Sequence, residues 1–452
     1  MTVIDGVDLD KANLDEVSAA GHVHGICLKT GPPRRVGVEL EWLVRDARDP
    51  SLPVAAGRVA GAVSAFDAAP WDASRGGNGN NGDGRAGSTG PELPTSSLPG
   101  VLPSGALLTA EPGGQLEISS QPADSLAGLI TATCADLTAL RSALAEAGLE
   151  LAGIGLDPLR PPRRVLTLPR YAAMEAFFDR GGPWGRRMMG STASVQVCLD
   201  AGDDSDGPGG YRYRWRLLHA VGPVLVAAFA NSPLREGKPT GWASSRQQVW
   251  AGMDPGRTRP PRIDSDPRAA WTAYALDAQL MCVRDPGSAN WSAPPGLTFR
   301  EWVRGDHGRL RPPTVSDLDY HLSTLFPPVR PRGHFELRMI DEQPGDGWTV
   351  PLAVCSALLS DTSAGDAALA AVAPLWAGGD IGEDGEPWLR AARLGPADPL
   401  ISRASRECFA AAREALDRLT VPASVTVAVD AFAERYVSKD RCPADDLLEE
   451  SP

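Results

Sequence analysis

Apolar residues recur at three- or four-residue steps along several stretches of this 452-residue chain, and in four short stretches they alternate with polar ones. The first pattern predicts helices and the second predicts half-buried strands. The clearest helix is 125–147, where Leu126, Ile130, Cys134, Leu137, Leu140 and Leu144 fall on one face and Ser125 supplies an N-cap. Further helices are predicted over 9–28, 171–178, 214–230, 364–377, 401–419 and 425–437, and strands over 35–44, 150–155, 194–199 and 334–340. A loop containing Gly, Pro and several arginines fills 231–262. Between 46 and 104 the composition shifts, and the Gly/Asn-rich run 74–84 buries too little apolar area to order itself, so it is expected to be a disordered surface loop. There is no internal repeat. Helices and strands do not alternate regularly, which predicts an α+β class, not a doubly wound sheet. The expected organisation is one unit over 1–452, with an insertion at 46–104 and a helical part at 352–452.

The four alternating segments carry the candidate chemistry. In Gly37-Val38-Glu39-Leu40-Glu41-Trp42 the two glutamates share one face, and Val38, Leu40 and Trp42 share the other. In Glu111-Pro112-Gly113-Gly114-Gln115-Leu116-Glu117-Ile118, Gln115 and Glu117 share a face, and the Pro-Gly-Gly turn lets Glu111 converge on the same space. Ser194, Gln196 and Cys198 oppose Val195, Val197 and Leu199, while His334, Glu336 and Arg338 oppose Phe335, Leu337 and Met339. Any one segment reads simply as an amphipathic strand with a solvated polar face. Together they repeat carboxylates and an amide, where solvated faces mix Thr, Lys, Arg and Ser. Carboxylates crowded on one sheet repel one another unless a cation lies among them. Oxygen ligands of this kind suit Mg²⁺ or Mn²⁺. The expectation is a curved sheet holding divalent metal on its concave face.

Charge narrows the partners. Asp and Glu number 57 against 44 Lys and Arg, a net charge of -13, which argues against a general nucleic-acid binder. Apolar residues make up 42 %, enough for a sizeable core. No run of about 18 apolar residues is present, so no membrane span is expected. Residues 1–5 have neither a basic nor an apolar leader pattern, which predicts no secretory signal. The seven cysteines are scattered and never form a CxxC pair, which predicts reduced thiols in a cytoplasmic protein. Only Lys11, Lys29, Lys238 and Lys439 are lysines, so arginine forks must handle any phosphate.

Metal and arginine together suggest a nucleotide. The chain has no P-loop, no dinucleotide-binding glycine fingerprint and no GxSxG elbow. ATP held through metals and arginines on a carboxylate-rich sheet is the remaining option.

In order and spacing, the segments resemble the motifs of the glutamate–cysteine ligase branch of the carboxylate–amine ligases related to glutamine synthetase. That branch has a G-x-E-x-E strand, matched at 37–41, and an E-P-G-G-Q-x-E segment, matched at 111–117. Its T-A-S-x-Q-V strand is matched at 192–197 and its E-x-R strand at 336–338. Pro169-Arg170-Tyr171, Ala230-Asn231-Ser232-Pro233 and Ser245-Arg246 fit as well, so the likeness runs from about Arg34 to Asp445. The Arg- and Ala-rich bias is similar to that of the actinobacterial members that open ergothioneine synthesis.

The resemblance implies a glutamine synthetase-like α+β fold, with a curved, mainly antiparallel sheet flanked by helices. It implies one metal triad of Glu41, Glu111 and Glu117, and another of Glu39, Gln196 and Glu336, with Gln196 standing where glutamine synthetase has a histidine. Arg338 is expected to touch the transferring phosphoryl group, with Glu336 beside it in the catalytic set. Arg246 is expected to hold a substrate carboxylate or phosphate, and Gln115 and Ser194 to line the substrate site. His334 and Arg257 are candidates for the nucleotide site. The implied substrates are L-glutamate, L-cysteine and ATP, with Mg²⁺ or Mn²⁺ and without nucleic-acid or membrane partners. A ligase with another amine acceptor and a non-catalytic metal- or nucleotide-binding homologue both remain open. His22 and His24 are expected at the surface without a carboxylate partner, and Trp250 in the core.

Overall fold

The computed structural model describes residues 14–66, 100–263, 266–285, 287–305, 308, 310–377, 381, 385–419 and 421–450. The run 74–84 and the start of the first expected helix lie outside them. In chain order the strands are β1 (Val36–Asp46), β2 (Gly100–Val101), β3 (Leu107–Ala110), β4 (Leu116–Ser119) and β5 (Leu149–Ala152). They continue with β6 (Ser194–Asp200), β7 (Leu234–Arg235), β8 (Lys238–Pro239), β9 (Val329–Pro331) and β10 (His334–Asp341).

Eight strands form one sheet in the order β2-β3-β4-β1-β6-β10-β9, with β5 added alongside β1. Every pairing is antiparallel. The curved sheet with a concave metal-binding face does not form. The sheet is open, with β2 and β9 as unjoined edges, neither curved round nor closed on itself. Register, not concavity, is therefore what gathers its polar side chains.

One face of the sheet is apolar because the strands alternate as the sequence predicts. Val38, Leu40, Trp42, Leu116, Ile118, Val195, Val197, Leu199, Phe335 and Leu337 are all buried. Helices cover this face, among them Leu126–Glu146, Tyr211–Ala228 and Thr349–Ser360. Trp215 of the second helix packs on Phe335 with ring centroids 5.7 Å apart. The first of these helices starts where expected: the Ser125 side chain accepts from the Gly128 N–H, which satisfies one of the unpaired amides of the first turn.

The 231–262 segment is not only loop. It contains the β7–β8 hairpin and the helix Ser245–Ala251, whose N-cap Ser244 accepts from the Gln247 N–H. The helix has only seven residues, too few to show an apolar period. Trp184–Ser191, Pro267–Asp277 and Thr349–Ser360 are helices that the pattern of apolar positions did not predict. The last of these is buried almost all round, so it shows no amphipathic stripe. Among the described residues, no helix is long and apolar enough to cross a membrane.

Candidate active site

The polar face divides into two halves of opposite charge. On the first half, Glu41 of β1 stands opposite Glu117 of β4, and Thr109 of β3 stands opposite Glu117 on the other side. Thr109 Oγ1 donates to Glu117 at 3.1 Å and Ser119 Oγ at 3.3 Å. Glu111 joins them through a tight turn in which the Gly114 N–H donates to the Glu111 carbonyl at 2.8 Å. Both glycines of that turn are needed. Gly114 has φ +88°, and a Cβ on Gly113 would lie 2.5 Å from Gly190 Cα.

Burial and mutual repulsion dominate this half. Burial and the Glu336 charge push Glu39 up to about 7. Burial and the Glu41 charge push Glu111 up to about 7. Burial, then the charges of Glu39, Glu111 and Glu41, raise Glu117 well above the usual carboxylate range.

On the second half, three guanidinium groups surround one carboxylate. Glu336 of β10 stands opposite Arg330 of β9. Arg330 Nη2 donates to both Glu336 oxygens at 2.6 and 2.9 Å, and its Nε donates at 3.2 Å. Arg338 Nη1 donates to Glu336 Oε1, and Arg332 Nη1 lies 3.5 Å from Oε2. Burial alone would raise Glu336, but Arg330, Arg338 and Arg332 together hold it well below the usual range. Arg330 and Arg332 were not singled out by motif. The alternation Val329-Arg330-Pro331-Arg332 just before the Gly333 turn is the sequence signal that could have found them.

Gln196 joins the halves. It stands opposite Glu39 in the β1–β6 register. Its Nε2 donates to Glu41 Oε1 at 2.8 Å, and its Oε1 accepts from Arg338 Nη1. Ser194 Oγ donates to the other Glu41 oxygen at 2.8 Å.

The remaining candidates fall in different places. Gln115 Nε2 donates to the carbonyls of Thr192 and Met189 at 2.9 and 3.3 Å, so its amide ties the Gly-Gly turn to the segment before β6. Arg246 is 1 % exposed and donates from Nη2 to the Arg338 carbonyl at 2.8 Å. Its Nε and Nη1 make no hydrogen bond. His334, opposite Asp200, is partly buried, and burial with the Arg332 and Arg330 charges holds its imidazole below the ordinary value. Arg257 is not brought to the polar face. It is fully buried over the Phe177 ring, donating to Asp254 Oδ2, the Thr324 carbonyl and the Gln279 carbonyl. Each of its nitrogens is committed, so it packs the protein and offers no fork to a phosphate. His22 does have a carboxylate partner, Asp319 Oδ1 at 2.6 Å.

Among the described residues, no three His, Cys, Asp or Glu side chains are gathered closely enough to hold a metal ion as they stand. The donor chemistry nevertheless fits a divalent cation. Glu39 and Glu111 are partly buried carboxylates on a crowded acidic face, and burial with neighbouring charge raises both. All the candidate ligands are hard oxygens.

A sequence profile of glutamate–cysteine ligase family 2 (GCS2) matches residues 35–451. The chain belongs to this family. It is 37 % identical over 455 residues to the glutamate–cysteine ligase EgtA of Mycobacterium tuberculosis, covering 97 % of this chain and 92 % of that protein. The EgtA of Mycolicibacterium smegmatis is 36 % identical over 438 residues, covering 95 % and 90 %. The chloroplastic glutamate–cysteine ligase of Brassica juncea is 32 % identical over 246 residues, covering 52 % and 46 %. The crystal structure of a glutamate–cysteine ligase from Francisella tularensis in complex with AMP shares the fold, with a TM-score of 0.50 at 10 % identity over 93 % of this chain and 85 % of that one. Within the family match, the four segments that carried the resemblance supply the carboxylates, Gln196 and Arg338 of the divided polar face, and the segment at β9 adds Arg330 and Arg332.

Proposed function

We propose that this chain is an ATP-dependent ligase that joins the γ-carboxylate of L-glutamate to the α-amine of L-cysteine, giving γ-glutamylcysteine for ergothioneine synthesis. The observation that carries the reading is the pairing, on one sheet face, of a carboxylate cluster with an arginine cluster through Gln196. Family membership and the long match to the EgtA ligases support it.

A carboxylate does not acylate an amine unaided, because its oxygen is a poor leaving group. In the proposed reaction a γ-carboxylate oxygen attacks the γ-phosphorus of ATP. The bond to the bridging oxygen breaks, ADP leaves, and γ-glutamyl phosphate forms. The cysteine amine then attacks the γ-carbonyl carbon, loses a proton, and phosphate departs. Arg338 places a fixed donor beside the transferring phosphoryl group in a largely buried site. Arg246, whose Nε and Nη1 make no hydrogen bond although Nη1 lies 3.8 Å from Asp341 Oδ1, holds a substrate carboxylate. Ser194 and Gln196 keep Glu41 oriented. Glu41, Glu111 and Glu117, and Glu39, Gln196 and Glu336, are the residues that would hold Mg²⁺, which supplies charge neutralisation to the phosphates. No protein nucleophile is required. The reading takes the chain as one catalytic unit.

The test is phosphate release by the purified protein with ATP, Mg²⁺ and glutamate across a panel of amines. Cysteine-dependent turnover is expected. Turnover with a different amine only would move the reading to another acceptor, and no turnover with any amine would remove it.

A further inference from the structure

The strand that carries Arg338 breaks step. Leu337 stands opposite Val197 and Ile340 opposite Val195, so Arg338 and Met339 together face the single residue Gln196. A bulge of this kind re-aims a side chain and leaves backbone groups outside the ladder. Here the two carbonyls are taken up by consecutive residues of one short helix. Arg246 Nη2 donates to the Arg338 carbonyl at 2.8 Å, and Gln247 Nε2 donates to the Met339 carbonyl at 2.9 Å.

The same helix is clamped to the strand one step further on. The buried Asp341 accepts from Ser244 Oγ at 2.9 Å, from Ser232 Oγ at 2.7 Å and from the Asn231 N–H at 2.9 Å. Ser244 Oγ in turn accepts from the Gln247 N–H at 3.1 Å, and Ser232 Oγ from the Arg246 N–H at 3.1 Å. The helix start is thus fixed against β10, and its next two side chains reach back to the bulge. A buried carbonyl left without a donor is costly, so removing the Gln247 amide favours a different course for the strand at Arg338–Met339.

We infer that Gln247 is a positioning residue for Arg338: by capping the Met339 carbonyl it holds the bulge that aims the guanidinium at Gln196 and Glu336. The inference rests on the role proposed for Arg338 above. It also ties the segment bearing Arg246 to the strand bearing Arg338, so the amino-acid and phosphoryl sides of the reaction share one support.

The experiment compares wild type, Gln247→Leu, Gln247→Glu and Arg338→Ala for kcat, KM and melting midpoint, together with a crystal structure of Gln247→Leu. Gln247→Leu is expected to lower kcat by ~10-fold or more while leaving the KM for ATP within about twofold. Gln247→Glu turns an acceptor toward an acceptor and is expected to lose more. The melting midpoint of Gln247→Leu is expected to stay close to that of wild type, and its Arg338 guanidinium is expected to leave Gln196 in the crystal. An unmoved guanidinium overturns the inference whatever the activity. So does a kcat within about twofold of wild type, or a loss of kcat that only follows a loss of folded protein. Full activity in Arg338→Ala overturns the role of Arg338 and this inference with it. Absence of turnover in wild type strikes the ligase reading instead, and the position of the guanidinium still decides the structural claim.

Discussion

Glu41 of β1 lies directly opposite Glu117 of β4. Two carboxylates thus share one cross-strand position, an arrangement that destabilises a sheet when both are charged. A cation that binds only the folded chain offsets this. Added Mg²⁺ is expected to raise the melting midpoint, with about 2.7 kcal/mol of stabilisation at 100 times its dissociation constant. Glu117→Gln removes one of the repelling charges and one proposed ligand. It is expected to melt no lower than wild type without Mg²⁺ and to respond less to its addition. An Mg²⁺ response equal to that of wild type would remove Glu117 from the ligand set.

Arg338 and Glu41 meet the same Gln196 side chain from opposite halves of the face. Arg338→Ala and Glu41→Ala are each expected to lower cysteine-dependent kcat by at least ~10²–10³-fold, the scale of losing one preorganised charge-stabilising group. Far-ultraviolet circular dichroism of both variants is expected to match wild type. Retained activity in either one sinks that assignment.

Arg257 is expected to act on stability. Its loss would leave the buried Thr324 carbonyl, the Gln279 carbonyl and the partly exposed Asp254 without their donor, at about 1–3 kcal/mol for each buried group left unsatisfied. Denaturant titration of Arg257→Ala therefore shows a lower midpoint, whereas the KM for ATP of its folded fraction is unchanged. A raised KM for ATP without loss of stability would return Arg257 to the nucleotide site.

Two buried histidines make stability depend on pH. Burial holds His219 down to about 4, and burial with the Arg257 charge holds His321 down to about 3. Between these values and the ordinary one near 6.5, the unfolded chain binds protons that the folded chain does not. Their contribution is therefore fully present above pH ~6.5 and is lost progressively as pH falls through this window. As pH falls from 7.5 to 5 this loss runs against the gain from Glu39 and Glu111, which burial and neighbouring charge hold up at about 7, so it is read by difference: urea midpoints of wild type are expected to fall relative to those of His219→Gln. A pH profile of the variant parallel to that of wild type would exclude His219 as a source.

Much of the site could be read from the sequence because a strand has a two-residue period. Glu39, Glu41, Glu117, Gln196, Glu336 and Arg338 each announce a face, and four such faces in family order announce a site. Neither the register nor the clamps could be read that way. Ser244 caps its helix and is itself held by Asp341, 97 residues away in the chain. Arg330 owes its role to Glu336 across the β9–β10 pairing, which no local pattern specifies. Arg257 sits in a Gly/Arg stretch that resembles a solvated loop, yet two partners from distant segments, the Thr324 and Gln279 carbonyls, join the nearby Asp254 in drawing it inside. The sheet was expected to be curved because gathered carboxylates suggested a bowl, but pairing register alone brings them together.

β1 has neighbours along its whole length. Residues 39–42 pair with β4, 36–40 with β6 and 43–46 with β5, so Glu39 and Leu40 are laddered on both sides. Opening it would require several ladders to part together, which places its central amides among the last to exchange with solvent. Glu39 therefore rides on backbone held from both sides, with Glu41 one residue beyond that stretch. Adjustment to a changing phosphate charge must come from side-chain rotation, and from the turn and helix that flank the sheet.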